Sequence, residues 1–286
     1  MTYSIVARDP GTGRLGVAVQ SHWFSVGSVV TWAEAGVGAV ATQAFAERSY
    51  GPLGLDLMRG GKTATSALAG LVAMDEQAAR RQVAMIDAHG NVAAHTGDEC
   101  LGEASHVVGE TYSCQANMML RDTVPSAMAS AYESTDGDLV DRLLAALDAA
   151  EAEGGDIRGR QSAALLVVGE GPVELRIEDH PAPLVELRRL VGVHRSYELM
   201  NAGDAHLASG DFDSAATCYE AAQKGTPDNV EFTFWRGVML ANFGKTDEAR
   251  VFLEKTYAEP TGEWRELLRR LPSVGLLAQE IADQLV

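Results

Sequence analysis

Alternation of apolar and polar positions dominates the first 43 residues. Tyr3-Ser4-Ile5-Val6-Ala7 alternates as a half-buried strand does, and Asp9-Pro10-Gly11-Thr12-Gly13 is a turn. Leu15-Gly16-Val17-Ala18-Val19 returns as a second strand, so residues 2–19 predict a β-hairpin. A glycine-punctuated loop then leads to Gly36-Val37-Gly38-Ala39-Val40-Ala41-Thr42, a third and fully apolar strand. Residues 53–80 carry Leu53, Leu57, Leu68, Leu71 and Val72 at near-helical spacing, interrupted at Gly60-Gly61. Strands are predicted at 81–87 and 92–97 around a turn at 88–91, and again at 111–117. Two helices follow at about 122–133 and 137–153, and Gly154-Gly155 stops the second. The most apolar strand, from Ser162 to Val168, pairs with 173–177 before His180-Pro181-Ala182-Pro183 ends the sheet pattern. Hairpins separated by helix pairs predict an α+β domain of two packed sheets with helices on their outer faces.

From about residue 194 the pattern is helical and repeats with a period of 34. Gly203 recurs as Gly237, Gly210 as Gly244, Asp213 as Asp247 and Ala215 as Ala249, while Tyr219 is matched by Leu253. Pro227 lies where a repeat should end, and Pro260 falls one place early in the second. These are the small, aromatic and proline positions at which tetratricopeptide helices pack. The boundaries drawn on this basis are 1–190 for the mixed domain and 191–286 for a small all-α, repeat-like tail. Two repeats are fewer than the three usually needed to stand alone, so the tail is expected to dock on the main domain, on another subunit or on a protein partner.

Composition narrows the function classes. A net charge of −17 argues against nucleic acid and anionic membrane as partners. Cys100, Cys114 and Cys218 are far apart and form no CxxC pair, which fits a reducing, cytoplasmic compartment. No secretory signal and no span of roughly 20 apolar residues is visible. The histidines give no HxH or HExxH spacing, so no metal site and no cofactor are expected.

Candidate chemistry sits where strands meet loops. Thr2, once Met1 is removed, carries an α-amine beside its own hydroxyl, a base and a nucleophile in one residue. Thr2 is also simply a common second residue at the start of a strand. Gln20-Ser21-His22 leaves the second strand, Ser113-Cys114-Gln115-Ala116-Asn117 is a polar strand end, and Gly154-Gly155-Asp156-Ile157-Arg158-Gly159-Arg160-Gln161-Ser162 precedes the most apolar strand. Loops carried by rigid strands are where sites concentrate. Arg158 and Arg160 suggest a carboxylate on the substrate. A lesser reading makes Cys100, close after His95, the nucleophile.

The opening run Met-Thr-Tyr-Ser-Ile-Val-Ala-Arg-Asp, the run Ala35 to Gln43, Tyr50-Gly51-Pro52, Ala94-His95-Thr96-Gly97 and the run Gly155 to Val167 resemble a bacterial and archaeal family of unknown function. That family is placed in the Ntn-hydrolase (N-terminal nucleophile) superfamily, and the resemblance covers about residues 2–190. It implies a four-layer αββα sandwich. A looser similarity to proteasome-type β-subunits implies Thr2 as nucleophile, Ser21 after the second strand, a supporting loop at Ser113 to Asn117, and Asp156 with Ser162 orienting the amine. Gln115, Asn117 or a backbone N–H would hold the oxyanion, and His22, Gln43, His95, Arg158 and Arg160 are the candidate substrate contacts. Proteasome-type sites also have a lysine near the nucleophile, but the only lysine before residue 200 is Lys62, on a helix. The expected function is hydrolysis of a small amide through a Thr2 acyl-enzyme, in a chain expected to form a homo-oligomer. The alternative is an inactive scaffold of the same fold whose tail docks a partner.

Overall fold

The computed structural model describes residues 2–286, and the chain divides into two compact units, Met1–Leu190 and Val191–Val286. The first unit is built on two antiparallel sheets. One contains six strands in the order β10-β9-β2-β1-β8-β7, with β1 Thr2–Arg8, β2 Leu15–Ser21, β7 Ser105–Val108, β8 Tyr112–Asn117, β9 Ser162–Val168 and β10 Val173–Ile177. The other contains β3 Thr31–Glu34, β4 Gly38–Ala44, β5 Arg81–Asp87 and β6 Val92–Thr96 in that order.

Strand parity decides which side chains meet between the sheets. Val6, Leu15, Val17, Val19 and Ala164 of the larger sheet pack with Ala39, Ala41, Ala84 and Ile86 of the smaller one. The alternate residues of the smaller sheet, Val40, Val83 and Met85, face the helices α2 Tyr50–Arg59 and α3 Ala64–Met74. Helices α4 Val124–Ser134 and α5 Leu139–Ala152 cover the larger sheet, and α5 crosses β2 at Gly16. A Cβ on Gly16 would stand 2.7 Å from Leu143 Cδ1, so glycine sets how closely the helix approaches. The short helix α1 Gly27–Val30 leads from the β2 loop into β3.

The structure departs from the sequence expectation in three places. Residues 22–35, read as a loop, contain α1 and β3, and β7 forms within a segment given no strand. Both strands lie at sheet edges and are only half-buried along most of their length, so neither carries the apolar run by which strands are recognised. The third departure is α6 Pro183–Ala208, which starts about ten residues before the helical pattern was recognised, with proline at its first position.

The second unit contains α6 from Val191 onward, α7 Phe212–Gly225, α8 Val230–Asn242, α9 Thr246–Tyr257, α10 Trp264–Arg270 and α11 Gln279–Leu285. Its 34-residue period has a packing cause. A Cβ on Gly203 would meet the Tyr219 ring at 3.2 Å, and one on Gly237 would meet Leu253 Cγ at 2.8 Å. Gly210 and Gly244 both turn with positive φ, at 80° and 73°, and Ala215 and Ala249 are fully buried. Among the described residues no helix is long and apolar enough to cross a membrane.

Gly237→Val should therefore destabilise the helical unit by about 1–3 kcal/mol in chemical denaturation, because a side chain is forced into Leu253. Gly70, exposed on α3 with nothing within 4 Å of a built Cβ, should behave oppositely, with Gly70→Ala stabilising by up to about 1 kcal/mol.

Candidate active site

Beside Val6, Val17 and Val19 in the space between the sheets, residues of the same parity are polar. Thr2 and Ser4 on β1, Ser21 on β2, Gln43 on β4, Gln82 on β5, and Ser113, Gln115 and Asn117 on β8 are all buried there. Register brings them together, since Thr2 stands opposite Asn117 and Ser4 opposite Gln115. In the other sheet Gln43 stands opposite Gln82.

The hydrogen bonds run in one direction. Ser113 Oγ donates to Gln115 Oε1 (2.9 Å), Gln115 Nε2 to Ser4 Oγ (2.7 Å), and Ser4 Oγ to Gln43 Oε1 (2.7 Å). Gln43 Nε2 donates to Gln82 Oε1 (2.7 Å), which also accepts from Asn117 Nδ2 (2.9 Å). Gln82 Nε2 ends the series on Thr96 Oγ1, Ser105 O and Ala116 O. Each bond polarises the next, and no amide in the series is left unpaired.

Thr2 is at the edge of this network and opens onto a cavity of about 490 Å³. It is 5 % exposed, and its Oγ1 donates to Ser21 Oγ at 3.1 Å. Its carbonyl accepts from Gln43 Nε2 (3.3 Å) and Asn117 Nδ2 (3.4 Å), so the first strand residue is held on both sides. Of the candidate residues, Thr2, Ser21, Gln43, Asn117 and Arg158 line the cavity, and the other candidates do not.

The remaining candidates have other partners. Gln115 is bonded between Ser113 and Ser4, with its amide engaged away from the cavity. Asp156, whose side chain is fully buried, accepts from the His22 N–H and from the Arg158 backbone and guanidinium. Ser162 Oγ accepts from the Val26 N–H and donates to Trp23 O, which fixes the 22–26 loop to β9. His95 Nε2 bonds to Ala78 O, and Arg160 pairs with Glu151 at 2.7 Å. The suggested arginine pair is thus already neutralised, Arg158 by Asp156 and Arg160 by Glu151, which removes its argument for a carboxylate on the substrate. Burial pushes the Cys100 thiol above its ordinary value, which disfavours the thiolate a nucleophile needs. Among the described residues no group of three or more His, Cys, Asp or Glu side chains is placed to hold a metal ion.

Several contributors escaped sequence reasoning. Trp23, Phe45, Arg48 and Met118 line the cavity from loops, Val29 from α1 and Arg81 from the start of β5. One signal was available, because Ala44, the last residue of β4, and Met118, the first after β8, each directly follow a polar residue, Gln43 and Asn117. Both have left-handed backbone, at φ 69° and 56°, as has Ser25 beside the cavity at φ 56°. Non-glycine residues in this region carry strain, and such strain clusters at functional sites. Arg81 supports the wall, donating to Phe45 O at 2.6 Å and to Asp75 at 2.8 Å. That bond to Arg81 holds the Asp75 carboxyl below its ordinary value despite the opposing effect of burial.

Comparison with known proteins assigns the family. The sequence pattern of the family described as "Family of unknown function (DUF1028)" matches residues 2–187. The chain belongs to the DUF1028 family. A crystal structure of the DUF1028 protein SPO2555 from Silicibacter pomeroyi is 35 % identical, with a TM-score of 0.63, and the match covers 66 % of this chain and 87 % of that one. Residues 200–262 match a tetratricopeptide repeat, so this DUF1028 chain carries a repeat-like helical tail. No curated protein matches the chain.

Gln82→Met should cost about 3 kcal/mol or more in urea unfolding, because it orphans the Gln43 and Asn117 donors together with buried carbonyls. Asp75 makes a pH-dependent contribution. Its carboxyl is depressed in the folded state, so the stability it gives is present above the unfolded pKa of about 3.9 and is lost as pH falls through the folded value. Acid titration of Asp75→Asn should accordingly show a smaller loss of stability below about pH 4 than the parent protein does.

Proposed function

We propose that this protein is an amidohydrolase of the N-terminal nucleophile type, with Thr2 as its nucleophile and a four-layer αββα sandwich as its frame. The observation that carries the reading is the position of Thr2. It begins a central strand, its side chain lines the cavity, and its hydroxyl is oriented by Ser21 at 3.1 Å. Nucleophile and general base have to be held together for such chemistry, and a free α-amine on Thr2 supplies the base within the same residue.

The reaction requires removal of Met1. Thr2 Oγ1 then attacks the substrate carbonyl carbon while its proton passes to the Thr2 amine and on to the departing nitrogen. The C–N bond breaks, an ester to Oγ1 remains, and water cleaves that ester to release the acid and restore the hydroxyl. The Asn117 amide is engaged by Gln82 and by the Thr2 carbonyl, which leaves backbone N–H groups of the cavity wall as the candidate oxyanion donors. Among the arginines that line the cavity, we assign Arg158 as the counterpart of the lysine in proteasome-type sites. Its guanidinium, bonded to Asp156, supplies fixed positive charge and does not shuttle a proton.

A second reading is favoured by one observation in the helical unit. A cavity of about 580 Å³ there is lined by Phe212, Tyr219, Trp235 and Phe243, a set suited to holding a protein partner whether or not Thr2 is active.

Against a panel of small amides, Thr2→Ala should lower kcat by about 1,000-fold or more, whereas Thr2→Ser should retain activity. Protein that keeps Met1, identified by intact mass, should be inert in the same assay. Full activity in Thr2→Ala would end the hydrolase reading.

A further inference from the structure

We propose that the cavity beside Thr2 receives an uncharged, apolar acyl chain, so that the substrate class is an N-acyl amide of medium chain length. The assignment deepens the amidohydrolase reading and rests on it for the chemical step. Three observations carry it.

The first is the lining. Val26, Val29 and Val30, from α1 and the residue before it, form one wall, and Phe45 and Met118 stand with Thr2 around the same space. At about 490 Å³ the cavity lies within the range of small-molecule sites, which bind mainly through such apolar surfaces.

The second is the rim. Trp23, Phe45 and Leu101 line the cavity yet remain 61 %, 47 % and 55 % exposed. Large apolar groups left open around a concavity mark where an apolar ligand removes surface from water.

The third is the state of the charges. Arg81 is paired with Asp75 and Arg158 with Asp156, so two of the three cavity guanidiniums already have carboxylate partners. Arg48 is exposed and donates to Ser28 O. With a net charge of −17 the protein as a whole also repels anions.

The apolar site suits the acyl side of the scissile bond better than the amine side. The released amine takes up a proton and becomes an ammonium ion, which an apolar cavity would have to desolvate. The acyl group stays neutral as long as it is esterified to Thr2 Oγ1, and it leaves as a carboxylate only after water has attacked.

Binding and turnover test the assignment separately. Calorimetry on Thr2→Ala with acetamide, butyramide, hexanamide, octanamide and the anionic succinamate should give affinity rising about fourfold per added methylene, with succinamate weaker than butyramide. Phe45→Asp, which alters an exposed rim residue, should weaken octanamide by about tenfold or more. The parent protein, with Met1 removed, should hydrolyse the matching p-nitroanilides in the same order. Length-dependent binding without any hydrolysis overturns the amidohydrolase reading and leaves the apolar site standing. Affinity that does not rise with length, or succinamate bound more tightly than butyramide, overturns the apolar site even where hydrolysis is found.

Discussion

A glutamine buried between two sheets gives up its bonds to water, and any donor or acceptor left over costs about 1–3 kcal/mol. The first unit meets this constraint by linking Ser113, Gln115, Ser4, Gln43 and Gln82 so that each donor faces the next acceptor. The strand register follows from it. A one-residue slip of β1 would turn Ser4 toward the helices and bring Tyr3 into the network, so the polar layer specifies pairing as strongly as the valines beside it do. Thr2 inherits its position from the same requirement, because Gln43 and Asn117 also hold its carbonyl.

The network and the cavity divide the work of the site. Within the network the amides are fully engaged and rigid, and they fix the backbone from which Thr2 projects. Part of the cavity wall is made of loops, and its shape depends on bonds at their bases: Ser162 to the 22–26 loop, Asp156 to His22, and Arg81 to Phe45. Ala44, with its left-handed backbone, lies between the polar Gln43 and the anchored Phe45. Asp156 and Ser162 act on the loop at the cavity in this arrangement, and their hydrogen bonds account for their burial.

The central strands were legible because their apolar runs are flanked by clear turns, as at Asp9-Pro10-Gly11 and Gly154-Gly155. The tail was legible for a different reason. Gly203 and Gly237 answer to Tyr219 and Leu253 at equivalent helix crossings, which writes the packing into the sequence at fixed spacing. Edge strands β3 and β7 were not legible, since an edge strand buries too little to need an apolar run. For the arginines the local sequence misled, because Arg160 meets Glu151 from α5 and Arg158 turns back onto Asp156. Gln82 was read only as part of a strand, and its role depends on Gln43 and Asn117 from two other strands.

The one-way series of bonds also bears on how this protein ages. Its last members are backbone carbonyls of Ser105 and Ala116, which can only accept, so the direction cannot reverse. Spontaneous deamidation of Gln82 would replace a donor by a carboxylate facing those carbonyls, and no rotation of its neighbours could restore the match. Sealed from water at 0 % exposure, the side chain is kept from the reagent that hydrolyses it. The same burial that makes the layer demanding to assemble thus protects Gln82 from hydrolysis.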